Sequence, residues 1–267
     1  VLGGTGVGKS SFINVAAGTH DNRVGLGLSS ETRGFSITNF EQNGIRFCVV
    51  DTPGFDDTSR TDVEILIELA NFLESRFRAQ FLFSGIVYMH RITDVRFTGS
   101  HRKQIQYLRK LCGTQTLRKV VFVTSFWDQV KGEVAEQREA ELRDNFLAEE
   151  INNGAKMMRS DGSRESAISA LATCGGSKVV LQVQQELVEE KKPFYRTAIG
   201  VELQADIIQR RESIQKVREE LGKQLDKETR LEKAELLKAE MERLRKQLVE
   251  LGFAEKSMQS YKRSHTS

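Results

Sequence analysis

The run Gly3-Gly-Thr-Gly-Val-Gly-Lys-Ser10 fits G-x-x-x-x-G-K-S/T. Each residue type has a chemical reason. The glycines let the backbone curl so that successive N–H groups point at phosphate oxygens. A helix N-terminus directly after the loop adds partial positive charge. Lys9 is placed to reach β- and γ-phosphates, and the Ser10 hydroxyl to ligate Mg²⁺. Gly3, Thr5, Gly6, Gly8, Lys9, Ser10 and Ser11 are therefore the expected phosphate-binding set.

A second cluster, Asp51-Thr-Pro-Gly54, follows the apolar run Ile45–Val50. An Asp ending such a strand can hold the hydration shell of Mg²⁺, and Gly54 lets its N–H approach a γ-phosphate. Between the clusters lies Gly25-Leu-Gly-Leu-Ser-Ser-Glu-Thr32-Arg-Gly34, a long polar loop before a strand. Thr32 is the hydroxyl expected to close on the metal, with Ser29 and Ser30 as rivals. The expected metal set is Ser10, Thr32 and Asp51.

These residues need a frame. Strand-like runs at Phe35–Thr38, Ile45–Val50, Phe83–Met89, Val120–Thr124 and Ala155–Met158 alternate with helical patterns at Lys9–Ala17, Thr61–Phe77, Arg102–Leu111, Glu133–Ile151 and Arg164–Thr173. Asn43-Gly44 predicts a hairpin turn between the second and third strands. Alternation of this kind implies an α/β fold with a mostly parallel sheet. The strand feeding the phosphate loop should be about five residues long. Val1 and Leu2 are all of it that the chain carries, so this reading expects a truncated first strand and poor stability.

With these motifs assembled, residues 1–200 resemble GTPases of the translation-factor and Ras-like class. The segments His90-Arg-Ile-Thr-Asp94 and Thr124-Ser-Phe-Trp-Asp128 are similar to those of fungal G-domain proteins related to septins and to immunity-associated (avirulence-induced) GTPases. The resemblance implies a Ras-like three-layer P-loop fold, GTP or GDP as ligand, Mg²⁺ as cofactor, and a homo-dimer or oligomer. It also implies where the chain departs from its relatives. Guanine readers usually carry N-K-x-D, and here the stretch is Ser125-Phe-Trp-Asp128. Asp128 keeps the acceptor for guanine N1 and N2, and Phe126 can cover the purine in place of a Lys stem. Adenine stays open as the alternative base. Trp127 reads as packing, and a backbone N–H of Asp161 or Gly162 is a candidate for guanine O6.

The position that holds a water-orienting Gln in Ras-type enzymes is Phe55, which cannot orient water. Slow hydrolysis is expected, with help from Asp56, from a second subunit, or from His90, Arg91 or Arg33. Thr32, Asp56 and His90 are the catalytic candidates. For His90, Arg91 and Arg33, a surface salt bridge or helix cap is the competing reading. A nucleotide-binding scaffold without significant hydrolysis, or an ATPase, are the alternative functions.

Composition divides the chain. Residues 201–267 hold 28 of its 77 charged residues with only two glycines and no proline. Ile207, Ile214 and Leu221 are seven apart, as are Leu237, Leu244 and Leu251, with the two runs out of step near Asp226–Arg230. The expected organisation is a G domain at 1–175, a helical connector at 176–200 running from about Ser177, a charged coiled-coil helix at 201–253, and a disordered tail at 254–267. A solvated helix folding back on the domain is the competing reading of the coil. Net charge is only +3, so no electrostatic case exists for nucleic acid. No apolar run reaches the roughly 18 residues that a membrane span requires. Cys48, Cys112 and Cys174 lack metal spacing and fit reduced thiols of an intracellular protein. The expected location is cytoplasmic, with peripheral membrane association left open.

Overall fold

The computed structural model describes residues 1–19, 34–56, 60–226, 228 and 231–261. Thr32, with Ser29, Ser30 and Arg33, lies outside the described residues.

In chain order the elements begin with β1 (Leu2–Gly3), α1 (Lys9–Ala17), β2 (Ser36–Gln42), β3 (Ile45–Asp51), α2 (Asp62–Arg78), β4 (Ile86–Arg91) and α3 (Gly99–Cys112). There follow β5 (Val120–Ser125), α4 (Gly132–Glu141), α5 (Ala148–Asn152), β6 (Lys156–Arg159), α6 (Arg164–Thr173) and α7 (Gln182–Gln184). The last two are α8 (Ala198–Leu225) and α9 (Leu231–Gln259). Strands β1-β4-β5-β6 form a parallel sheet in that order, and β2-β3 an antiparallel hairpin. This is the expected Ras-like α/β architecture. The hairpin turns on Asn43 and Gly44, both with positive φ (53° and 74°), the signature of a type I′ turn.

Strand alternation sorts side chains to the two faces of the sheet. Val87, Met89, Val121 and Val123 pack with Ile13 and Ala16 of α1 and with Ala167 and Ala170 of α6. Tyr88, Val120 and Phe122 face the other way, toward Leu66 and Leu69 of α2 and Leu108 of α3. Capping boxes start the two helices on that second face: Thr61 with Glu64 for α2, and Thr98 with His101 for α3.

The strand edges of β3 and β4 flank an apolar cavity of about 390 Å³, bounded by Leu2, Phe47, Phe83 and Leu171 among others. The Val1 nitrogen donates to the Val50 carbonyl at 2.7 Å.

Three expectations are corrected beyond Ala155. The stretch from Ser177 is not helical at its start. Val179 bridges Phe83, and the chain turns helical only at Gln182, continuing through a π turn at Gln185–Glu189. Leu181, Val183 and Leu187 are buried in the same core as α2 and α3. Second, the charged stretch is two helices. Arg211 pairs with Glu255 at 2.6 Å and Gly222 lies by Met241, so α8 and α9 run antiparallel. The seven-residue seam is real, but its partner is in the same chain: Ile207, Ile214, Leu244 and Leu251 are all buried. The two runs are out of step because they belong to different helices. Third, the tail expected to be disordered is helical as far as Gln259, with Met258 fully buried. Beyond it the Tyr261 hydroxyl donates to the buried Glu74 carboxylate at 2.8 Å, and its ring stacks on Phe194. Residues 262–267 lie outside the description.

The helix expected over Glu133–Ile151 is also interrupted, by a π turn at Leu142–Phe146 between α4 and α5. Among the described residues no helix is long and apolar enough to cross a membrane.

Candidate functional site

The loop between β1 and α1 carries the site. Gly6 and Gly8 have φ of 78° and 91°, values that an L side chain rarely adopts. Gly3 serves packing: a Cβ there would lie 2.4 Å from the Met89 carbonyl oxygen, so β1 approaches β4 closely only with glycine. Lys9 is buried and donates from Nζ to the carbonyls of Gly4 (2.8 Å) and Gly3 (3.2 Å), which folds the loop around its own ammonium.

A helix and a strand bring two of the expected metal ligands together. Ser10 at the start of α1 donates to Asp51 Oδ2 at the end of β3, at 2.6 Å. Asp51 is buried, and its other oxygen, Oδ1, accepts no hydrogen bond among the described residues. An orphaned carboxylate oxygen beside a serine hydroxyl, at the mouth of a phosphate-type loop, suits an oxygen-seeking divalent cation.

The Asp51-Thr-Pro-Gly54 segment then crosses the loop. Thr5 N–H donates to the Phe55 carbonyl at 2.8 Å, and Phe55 N–H to the Gly3 carbonyl at 3.2 Å. Gly54 permits the crossing, since a Cβ there would meet Thr5 Oγ1 at 2.6 Å and Thr5 backbone atoms at 2.7 Å. The Phe55 side chain is 1% exposed and belongs to the core.

The next cavity, of about 380 Å³, has the size for a purine. It is bounded by Gly8, Ser11, Phe126, Asp128, Asp161 and Gly162, among others. Phe126 sits in left-handed backbone (φ 61°), which turns its ring over the loop, 3.5 Å from where a Cβ on Gly8 would lie. Asp128 is exposed, in the short turn Trp127–Gln129. The Asp161 carboxylate accepts from the Ser163 N–H at 2.9 Å, and hydrogen bonds from Ser163 and Ser166 hold its pKa down at about 2. That carboxylate fixes the 161–163 turn at the edge of the cavity.

Trp127 is a packing residue, as its sequence context suggests. Its Nε1–H donates to Thr124, and Arg159 lies 4.1 Å over its ring. Sequence reasoning missed Ser125, whose hydroxyl donates to the Val7 carbonyl at 2.9 Å and ties the end of β5 to the phosphate loop. Its position directly before Phe126 was the available signal.

Two catalytic candidates sit elsewhere. The Asp56 carboxylate faces α3, where it accepts from Ser100 Oγ (2.6 and 2.7 Å) and Gln104 Nε2 (2.7 Å). The His90 ring packs against Phe97 and His101, away from the cavity beside Phe126 and Asp128. Burial, reinforced by His101, lowers its pKa to about 4, so it is neutral at pH 7. Arg91 lies between the two regions, its Nη1 3.8 Å from a Cβ position on Gly6 and its Nη2 2.9 Å from Asp94 Oδ1. The Cys112 and Cys174 thiols are buried and pushed up to about 12 and 11, far from the thiolate form.

Residues 1–126 match the 50S ribosome-binding GTPase family. This segment is thus similar to a P-loop GTPase domain. The chain is 28% identical over 132 residues to GTP-binding protein A of Dictyostelium discoideum, a match that takes in 49% of this chain and 28% of that protein. The chain therefore spans little more than a quarter of that relative. Among solved structures, Toc33 from Arabidopsis thaliana in complex with GDP and Mg²⁺ is 18% identical, with TM-score 0.48 over 72% of this chain and 84% of that one. Toc33 in complex with Mg²⁺ and GMPPNP is 20% identical, with TM-score 0.45 over 61% and 69%. A third structure, described as showing that dimerization is important for the GTPase activity of the chloroplast translocon components atToc33 and psToc159, is 20% identical with TM-score 0.46 over 61% and 68%.

Proposed function

We propose that the chain is a guanine-nucleotide switch with slow GTP hydrolysis that rises on dimerization, within the septin-like and immunity-associated group that its His90–Asp94 and Thr124–Asp128 segments resemble. The observation that carries this reading is the Ser10–Asp51 pair with its unpartnered Oδ1, set between the curled loop and the base-sized cavity. A scaffold that only held a nucleotide would have little use for a metal-ready carboxylate.

Ser10 and Asp51 are the residues that would hold Mg²⁺, joined by Thr32 from the loop outside the description. When bound, the ion neutralises charge on the phosphate oxygens. Lys9 would exchange its contacts with the Gly3 and Gly4 carbonyls for phosphate. Phe126 stacks on the base and Asp128 accepts from guanine N1 and N2. The printed name of the Dictyostelium relative, a GTP-binding protein, supports guanine over adenine.

Phe55 leaves the attacking water without an orienting side chain, and α3 holds the Asp56 carboxylate. The missing group is therefore assigned to a second copy of the chain. Arg91, beside Gly6, is better placed than His90 to reach a neighbour's phosphates. The same Phe55 favours a second reading, a nucleotide-binding scaffold without significant hydrolysis.

Affinities for GTP, GDP and ATP, and hydrolysis rates across the dimerization range, separate these readings when set beside Lys9→Ala. Guanine selectivity and a rate per chain that climbs with concentration are expected. Equal ATP and GTP affinity removes the guanine assignment, and a flat rate removes the dimer. Hydrolysis no faster than in Lys9→Ala leaves the scaffold.

A further inference from the structure

We propose that His90, Asp94 and His101 form a site for one divalent transition-metal ion of the zinc class, separate from the nucleotide's own cation. The site rests on no part of the nucleotide reading. Three places in the chain converge on it: the end of β4, the turn after it, and the first turn of α3. One ligand atom from each residue lies within 4.8 Å of the other two.

Two imidazoles and a carboxylate are the donor set that zinc takes in sites that keep a fourth position for water. Zinc–ligand bonds of about 2.0–2.1 Å place tetrahedral donors about 3.3 Å apart. His101 Nε2 and Asp94 Oδ2 stand at 3.6 Å, so side-chain adjustments of a few tenths of an ångström close that edge.

The cluster does not satisfy itself without an ion. Arg91 Nη2 binds Asp94 Oδ1 at 2.9 Å and orients the carboxylate. Oδ2 is buried and accepts no hydrogen bond among the described residues, since 3.6 Å is too long for one. A buried, unsatisfied carboxylate oxygen aimed at an imidazole nitrogen is costly unless something binds there.

The surroundings also fit. When His101 binds through Nε2, its Nδ1 must carry a proton and needs an acceptor. Thr98 Oγ1 is 3.4 Å from Nδ1 and fills that role, replacing the contact in which Nδ1 accepts from the Thr98 N–H at 3.2 Å. A cavity of about 30 Å³ adjoins His90, Asp94 and Glu141, enough for the single water that a fourth position requires. Phe97, stacked on Phe146 at 4.4 Å, walls the site beside both imidazoles and limits competing solvent. Nitrogen donors discriminate against Mg²⁺, which prefers oxygen.

The test is a Zn²⁺ titration by competition with a chromophoric chelator, on the full chain with GDP and Mg²⁺ present. Cys48→Ser serves as background, because Cys48 is the exposed thiol. Co²⁺ absorption in the same protein reports coordination directly. The expected result is one Zn²⁺ per chain and a tetrahedral Co²⁺ spectrum without thiolate bands. Asp94→Asn and His101→Gln should each weaken Zn²⁺ binding by about 10-fold or more. Gln at position 101 keeps an acceptor for the capping box, so the α3 start survives, and an unchanged circular dichroism spectrum and Tm verify the fold. Zn²⁺ affinity unchanged in both variants, or a Co²⁺ spectrum that is octahedral or absent, overturns the site.

Discussion

The Thr5 N–H donates to the Phe55 carbonyl at 2.8 Å, which stitches the phosphate loop to the segment that leaves the metal-ready Asp51. The loop and the Asp51–Phe55 segment are thus one hydrogen-bonded unit. A γ-phosphate contact by Gly54 must be made at or beside this stitch.

Gly54→Ala should break the stitch. Its Cβ would meet Thr5 backbone at 2.7 Å, and backbone cannot swing aside. Overpacking of this kind costs about 1–3 kcal/mol. Calorimetry should show a lower Tm, and nucleotide titration a loss of GTP affinity that exceeds the loss for GDP.

Lys9→Ala removes a buried ammonium and its contacts with Gly3 and Gly4. Charge-assisted hydrogen bonds contribute about 1.5–3 kcal/mol, so nucleotide affinity should fall roughly 10- to 150-fold. A fluorescent GDP analogue measures this directly.

Phe126→Ala should weaken GTP and ATP binding alike, because stacking is blind to the base edge. Base–aromatic stacking contributes about 1–3 kcal/mol. Asp128→Asn should instead cost guanine affinity and spare adenine. Parallel titrations with both nucleotides separate the two roles.

Ile214→Ala opens a hole in the α8–α9 seam, where Ile214 is 7% exposed. The expected loss is about 2–5 kcal/mol. Because the seam closes within one chain, the drop in Tm should be the same at low and high protein concentration. A drop that vanishes at high concentration would place the partner helix in a second copy.

The pH dependence of stability follows from His90. Its folded pKa is lowered by burial from 6.5 to about 4, so the unfolded chain takes up a proton more readily. Its contribution is present above pH 6.5 and is lost as the pH falls through the window toward 4. Denaturant melts of the metal-free protein, in the presence of a chelator, should differ between pH 7 and pH 5, and His90→Gln should shrink the difference.

The phosphate loop, the Asn43-Gly44 turn and the strand alternation were legible because each is set by residues close in sequence. Phe126, Asp128 and Asp161 meet at one cavity because they stand at fixed offsets from strand ends. The hairpin of α8 and α9 was not legible. A seven-residue spacing says that a seam exists and is silent on which helix covers it. Likewise nothing local marks the bond from Ser100 to Asp56, forty-four positions apart, or the meeting of Asp94 with His101 across a turn. Those depend on how β4 delivers the chain to α3.

Helix α3 carries two sets of contacts on one short rod. Ser100 and Gln104 hold Asp56. Lys103 and Tyr107 hold Asp206 of α8, at 2.7 and 2.5 Å. The four residues interleave along two turns, so neither grip loosens without disturbing the other. In hydrogen exchange, the amides after Phe55 and those of the α8–α9 hairpin should therefore open together as one cooperative unit. Through α3, the C-terminal hairpin is tied to Asp56.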